Sequence, residues 1–190
     1  MTTFPLDFVE AFHFSMNYEV GPQYNKDDVE TIAGKCDTKA QRRKTGYVNN
    51  ANDKGGETKF GVAKKSHPNI NIKALTLNGA MQIFYNEYWL AGDCDKLKAP
   101  LSIAHFDACV NHYINRAAKF LQEAVGVDID GILGRHSIAA INEGDPIELT
   151  QKQIKIRERF FRTLAKNNPS QEEFLDGWLA RVESIEETLA

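Results

Sequence analysis

Glu19, Asp53 and Thr58 are the residues of this chain whose types suit acid-assisted cleavage of an acetal. Hydrolysis of a glycosidic bond takes one carboxylic acid to protonate the leaving oxygen. As a rule it also takes a second carboxylate, to attack the sugar, stabilise positive charge or activate water. Glu19 closes an apolar-striped stretch and is followed at once by Gly21 and Pro22. Asp53 and Thr58 flank Gly55-Gly56, where the backbone can turn tightly and approach a bulky ligand. Facing each other across a cleft, the three would supply an acid, a carboxylate and a hydroxyl. Each also has an ordinary use: glutamate on a surface, aspartate in a turn, threonine in a strand.

Metal chemistry has weaker support. Of the histidines His13, His67, His105, His112 and His136, only His105 and His112 share one helical face, with Cys109 between them. No His-Glu-x-x-His pattern and no closely spaced cysteine pair is present, so satisfied or exposed histidines are expected and no metal site. Asp128 and Asp130 lack the ligand ladder of a calcium loop and read as a turn. No cofactor is expected either.

The elements that must hold these groups follow from hydrophobic periodicity. Phe8, Phe12 and Met16 recur every four positions and predict a helix over residues 4–19, with Glu19 at its C-terminal end. The helix dipole disfavours a carboxylate there. Residues 23–45 are polar and charged and read as an excursion, part helix and part loop. Gly46 to Val62 reads as a loop entering a short β-hairpin. Further helices are predicted over about 77–89, 101–125, 137–142, 146–166 and 170–189, the fourth opened by Pro146. The fold class is therefore mostly α, a helical bundle with a small β-hairpin beside the N-terminal helix that carries Glu19.

With 42% hydrophobic residues, 190 residues suffice for one sizeable core and are short for two full domains. The expectation is a single domain over 1–190, with a catalytic part (1–98) and a helical part (99–190) packed on it. A net charge of −3 gives no electrostatic support for nucleic-acid binding. No apolar run reaches the roughly 18 residues of a membrane span, so no membrane insertion is expected. No signal peptide is discernible, and the three cysteines, Cys36, Cys94 and Cys109, suit free thiols. A monomer folded in a reducing cytoplasm is expected.

The order of motifs resembles glycoside hydrolase family 108, whose pattern is Glu-Gly-Gly-Tyr-Val-Asn-x-x-x-Asp-x-Gly-Gly-x-Thr-x-x-Gly-Ile. The chain matches it in two pieces, Glu19 and then Gly46 to Val62, with about 25 residues (21–45) inserted and Val20 where the first glycine belongs. Tyr88-Trp89, Phe106-Asp107 with Val110-Asn111, Leu121-Gln122, Asp130-Gly131 and Gly177-Trp178 with Arg181 resemble later motifs, the middle ones those of a peptidoglycan-binding-like element. The resemblance implies a lysozyme-like α+β fold and an N-acetylmuramidase of the phage endolysin kind. Its catalytic residues would be Glu19 as general acid, with Asp53 and Thr58 stabilising charge or orienting water. Tyr47 and Asn49 would line the cleft, and Tyr88, Asn111 and Tyr113 would be further sugar contacts. The implied partner is bacterial peptidoglycan, reached with the help of a separate holin. A lytic transglycosylase, or a non-catalytic wall-binding or virion protein, are the rival readings.

Overall fold

The computed structural model describes residues 3–26, 37–49 and 56–189. They form a mostly α protein with one small antiparallel sheet. The chain divides into two compact units, residues 1–86 and 87–190.

In the first unit the predicted stripe becomes α1 (Leu6–Glu19), which buries Phe8, Ala11, Phe12 and Met16. The aromatic positions make the packing directional. Phe12 meets Phe84 edge-on at 5.4 Å, and Phe8 meets Tyr85 edge-on at 5.0 Å, arrangements that the ring quadrupoles favour. The partner rings come from α3 (Leu77–Phe84) and the residue after it; α3 is capped by Thr76, whose hydroxyl accepts from the Gly79 amide. Between them lies α2 (Lys39–Thr45). Thr38 and Gln41 form a reciprocal capping box at its start, and Gly46 ends it in the left-handed region. Strands β1 (Thr58–Lys59) and β2 (Val62–Ala63) pair Thr58 with Ala63 and Lys59 with Val62. The two turn residues, Phe60 and Gly61, both have positive φ, as a type I′ hairpin requires. Val48 extends the sheet by exchanging both backbone hydrogen bonds with Thr58 at 2.9 Å.

The second unit is helical: α4 (Leu101–His112), α5 (Ile114–Val125), α6 (Arg135–Glu143), α7 (Pro146–Asn167) and α8 (Leu175–Glu183). Residues 87–98 belong to it, with Trp89 packed on Phe106 at 5.8 Å and the Asn142 amide donating to the Lys96 carbonyl. At its centre Asp107 accepts from Arg157 Nη2 at 2.7 Å on one oxygen, and from Arg181 Nη2 and Nε at 2.8 and 3.0 Å on the other. Burial works to raise the Asp107 carboxyl, but Arg181 and Arg157 prevail and hold it at about 2. The Gln122 side chain shapes the 128–134 turn, donating to Asp130 Oδ1 and the Ile132 carbonyl and accepting from the Gly131 amide.

Three elements differ from the sequence reading; the last helix, expected over 170–189, is α-helical only over Leu175–Glu183, between 3-10 turns at Pro169–Phe174 and Glu186–Leu189. The single helix expected over 101–125 breaks at Tyr113, whose φ of 64° and ψ of 153° separate α4 from α5. The helix expected over 77–89 widens into a π-helical segment, Tyr85–Leu90.

His112 ends α4 inside an aromatic nest, 5.0, 5.3 and 4.9 Å from the rings of Phe120, Phe160 and Phe161. Burial first, then the charge of Arg157, depresses its pKa from 6.5 to about 3. Below pH 6.5 the unfolded chain protonates this ring while the folded protein does not, until about pH 3. The unfolded state thus holds the extra proton across that window, and stability falls with pH by up to about 1.4 kcal/mol per unit. Chemical denaturation between pH 7 and 4 should show this slope, and His112→Phe should flatten it. An equal slope in the variant would remove His112 as its source.

Candidate functional site

Glu19 is the last residue of α1 and is exposed. What fixes its surroundings is the hairpin turn. At Gly61 (φ +72°) the position a Cβ would occupy lies 3.2 Å from Phe84 Cζ, 3.5 Å from Glu19 Cβ and 3.7 Å from Glu19 Cγ. The backbone of the turn therefore lies against the aliphatic part of the Glu19 side chain, beside the ring that packs on α1. A second close approach lies next to it. Gly46 (φ +63°) would place a Cβ 3.3 Å from Val20 Cγ2 and 3.4 Å from Val20 Cα. Glu19-Val20 and Gly46-Tyr47, far apart in sequence, are neighbours in space, and the ends of the intervening excursion meet.

Tyr47 follows Gly46, and Thr58 lies in the first strand of the hairpin. The Tyr47 hydroxyl donates to Glu57 Oε1 at 2.6 Å, and the Arg42 guanidinium lies 5.9 Å over the Tyr47 ring. Thr58, half-buried, is held by its backbone pairing to Val48, with its Oγ1 3.5 Å from the Gly56 carbonyl. Asn49 is exposed just beyond Val48. Asp53, the expected second carboxylate, lies outside the described residues. Glu57 is a carboxylate the sequence reading passed over. It occupies a variable position of the motif, and only its strand neighbours Thr58 and Lys59 hinted at a defined orientation. An open groove of about 380 Å³ starts at Val20 and is lined by Lys39, Arg42, Arg43, Gly46 and Tyr47 among others. Its wall carries three cations.

The remaining expected contacts lie in the second unit. Tyr88 is half-buried in the π-helical segment, and its carbonyl accepts from the Gly92 amide. Asn111 is half-buried on the last turn of α4, with Oδ1 enclosed and unpaired among the described residues. Tyr113 is 79% exposed. Cys94, His105 and Cys109 form a separate, fully buried group in this unit whose donor atoms lie within 4.8 Å of one another. Burial raises the Cys109 thiol, but the Cys94 hydrogen bond and the His105 charge outweigh it and bring it to about 5. Burial likewise opposes the charge on His105, and Cys109 raises it on balance.

Residues 39–112 match the family model Glycosyl hydrolase 108, and residues 116–183 match the model described as Predicted Peptidoglycan domain. Among solved structures, SagA of Brucella abortus is similar at 26% identity, covering 84% of this chain and 87% of that chain with a TM-score of 0.61. No curated protein matches. The first match begins at Lys39, so α2, read from sequence as part of an insertion, belongs to the matched stretch, and Glu19 lies ahead of it.

Tyr113 yields a prediction of its own. Its φ and ψ lie in a region that glycine alone adopts without strain, at a cost of about 1–3 kcal/mol for other residues. Tyr113→Gly should therefore stabilise the fold by about 1 kcal/mol after glycine's own entropy is offset. A thermal melt should show a midpoint a few degrees higher. A lowered midpoint would mean that contacts of the ring outweigh the strain.

Proposed function

We propose that this chain is a peptidoglycan hydrolase of glycoside hydrolase family 108, whose family model matches residues 39–112, and that it is an N-acetylmuramidase with Glu19 as general acid. It would cleave the β-1,4 bond between N-acetylmuramic acid and N-acetylglucosamine. The observation that carries this reading is the seating of the hairpin turn on Glu19 at Gly61, together with the meeting of Val20 and Gly46. These contacts reassemble in space the motif that the sequence splits. In the proposed mechanism Glu19 protonates the glycosidic oxygen as the bond breaks, while Asp53 stabilises the developing positive charge or, with Thr58, orients the attacking water. Tyr47 braces the corner through Glu57, and Asn49 faces the sugar. Tyr88, Asn111 and Tyr113 are the sugar contacts proposed for the second unit.

The biological setting proposed is that of an endolysin: a monomer folded in a reducing cytoplasm that reaches the wall once a separate holin opens the membrane. Among the described residues, no helix is long and apolar enough to cross a membrane itself.

Glu19→Gln keeps the shape of the side chain and removes its proton. Release of soluble fragments from purified peptidoglycan should fall about 100-fold or more, with circular dichroism and melting unchanged. A folded variant with near wild-type turnover removes Glu19 from the mechanism.

The cationic groove beside Val20 suits the carboxylates of the peptide stems that muramic acid carries. Lys39→Ala combined with Arg43→Ala should raise KM several-fold on intact peptidoglycan, the scale expected of exposed ion pairs. It should leave KM unchanged on glycan strands stripped of their peptides. Equal effects on both substrates would contradict peptide recognition by this groove.

A further inference from the structure

The sequence reading grouped His105 and Cys109 with His112. The structure turns His112 into the aromatic nest and brings in Cys94, from the short 3-10 turn Cys94–Lys96, in its place. His105 and Cys109 lie four residues apart on α4 and so point the same way. All three residues are 0% exposed. The Gly92 carbonyl closes the group, 3.0 Å from His105 Nε2 and 4.0 Å from Cys94 Sγ, and Cys109 Sγ is 3.7 Å from His105 Nε2. Gly92 is required for this approach: a Cβ there would stand 2.7 Å from Cys109 Sγ and 2.5 Å from the Tyr88 carbonyl.

We propose that Cys94 Sγ, His105 Nε2 and Cys109 Sγ, with the Gly92 carbonyl, are a structural binding site for one zinc-like divalent ion. Tetrahedral zinc, with sulfur at ~2.3 Å and nitrogen or oxygen at ~2.1 Å, sets neighbouring donors about 3.4–3.8 Å apart. Three of the six donor separations, 3.0, 3.7 and 4.0 Å, straddle that range, and those among the three side chains are within 4.8 Å. The charge balance is also right for the interior. Binding expels two protons, one from the Cys94 thiol and one from the Cys109–His105 pair, and two thiolates neutralise the dication, so no net charge is buried. No atom is oxidised or reduced. His105 gives up its hydrogen bond to Gly92, and its remaining proton sits on Nδ1, which faces the Gln153 amide at 3.4 Å. Gln153 Oε1 is buried and unpaired among the described residues, and turning the amide over presents it to that proton. This is the outer contact that orients a metal-bound histidine. With every position taken by protein and all three side chains fully buried, the ion would act as a clasp between the Cys94–Lys96 turn and α4, not as a catalyst.

Because the site is buried, metal must enter as the chain folds. The full-length protein is therefore unfolded and refolded under reductant with cobalt(II), with zinc(II), or with chelator alone, then gel-filtered. The expected result is one cobalt per chain with an intense thiolate-to-cobalt charge-transfer band in the near ultraviolet. The zinc-refolded protein should melt at least about 5 °C above the chelator-refolded one. Cys94→Ala with Cys109→Ala, a pair of small apolar replacements, should abolish the band. Retention of no metal by the wild-type chain, cobalt without a thiolate band, a band that survives the double variant, or a Cys94–Cys109 disulfide by mass in protein purified without reductant would each overturn the site. None of these readouts depends on activity.

Discussion

At Gly61 the backbone of a left-handed turn lies against the side chain of Glu19 and beside the Phe84 ring. That contact ties together the parts of the first unit. It needs the type I′ turn, which needs positive φ at Phe60 and Gly61. It needs Phe84 at the end of α3, which the edge-on packing against Phe12 supplies. It needs α1 to stop at Glu19, which Gly21, at φ +91°, allows. The carboxylate thus ends up at a helix terminus that does not favour its charge, beside a hairpin whose first strand pairs with the segment carrying Tyr47. Gly46 plays the same part against Val20. Two glycines in left-handed conformations therefore substitute for sequence proximity, and the polar excursion between the halves of the motif leaves and returns at one point.

The second unit is organised around a different constraint. Asp107 lies within the stretch that matches the glycoside hydrolase model, whereas Arg157 and Arg181 lie within the stretch that matches the peptidoglycan model. The boundary between the two models falls at Tyr113, in the middle of one compact unit, and the buried ion triad crosses it. Removing one partner of such a group typically costs about 3–5 kcal/mol, because the other charges stay buried. The C-terminal end of the first matched segment, residues 87–112, accordingly folds with the second matched segment as one unit.

Much of this was legible in the residues. The Phe8, Phe12, Met16 stripe reads directly as α1, and Gly-rich punctuation before Phe60 reads as a hairpin. The break at Tyr113 was not legible, because Phe106, Val110, Tyr113, Ala117 and Leu121 keep helical spacing across it and a tyrosine does not signal positive φ. Asp107 and Arg181 were visible as motif letters, but nothing in the sequence pairs residues so far apart. Glu57 was hidden by its variable motif position. Cys94 was hidden by distance along the chain, since helical spacing could suggest only His112 as a companion for His105 and Cys109. In the candidate site, the contacts of Gly61 with Glu19 and of Gly46 with Val20 bring the two halves of the motif together, which no local spacing announces.

The products of digestion report directly which bond is cut. Purified peptidoglycan digested with the wild-type chain, reduced with borohydride and analysed by mass spectrometry should give muropeptides whose reducing ends are N-acetylmuramitol. Anhydro-muramyl ends would instead mean transglycosylation. N-acetylglucosaminitol ends, or glycan strands released intact from their peptides, would contradict muramidase action altogether.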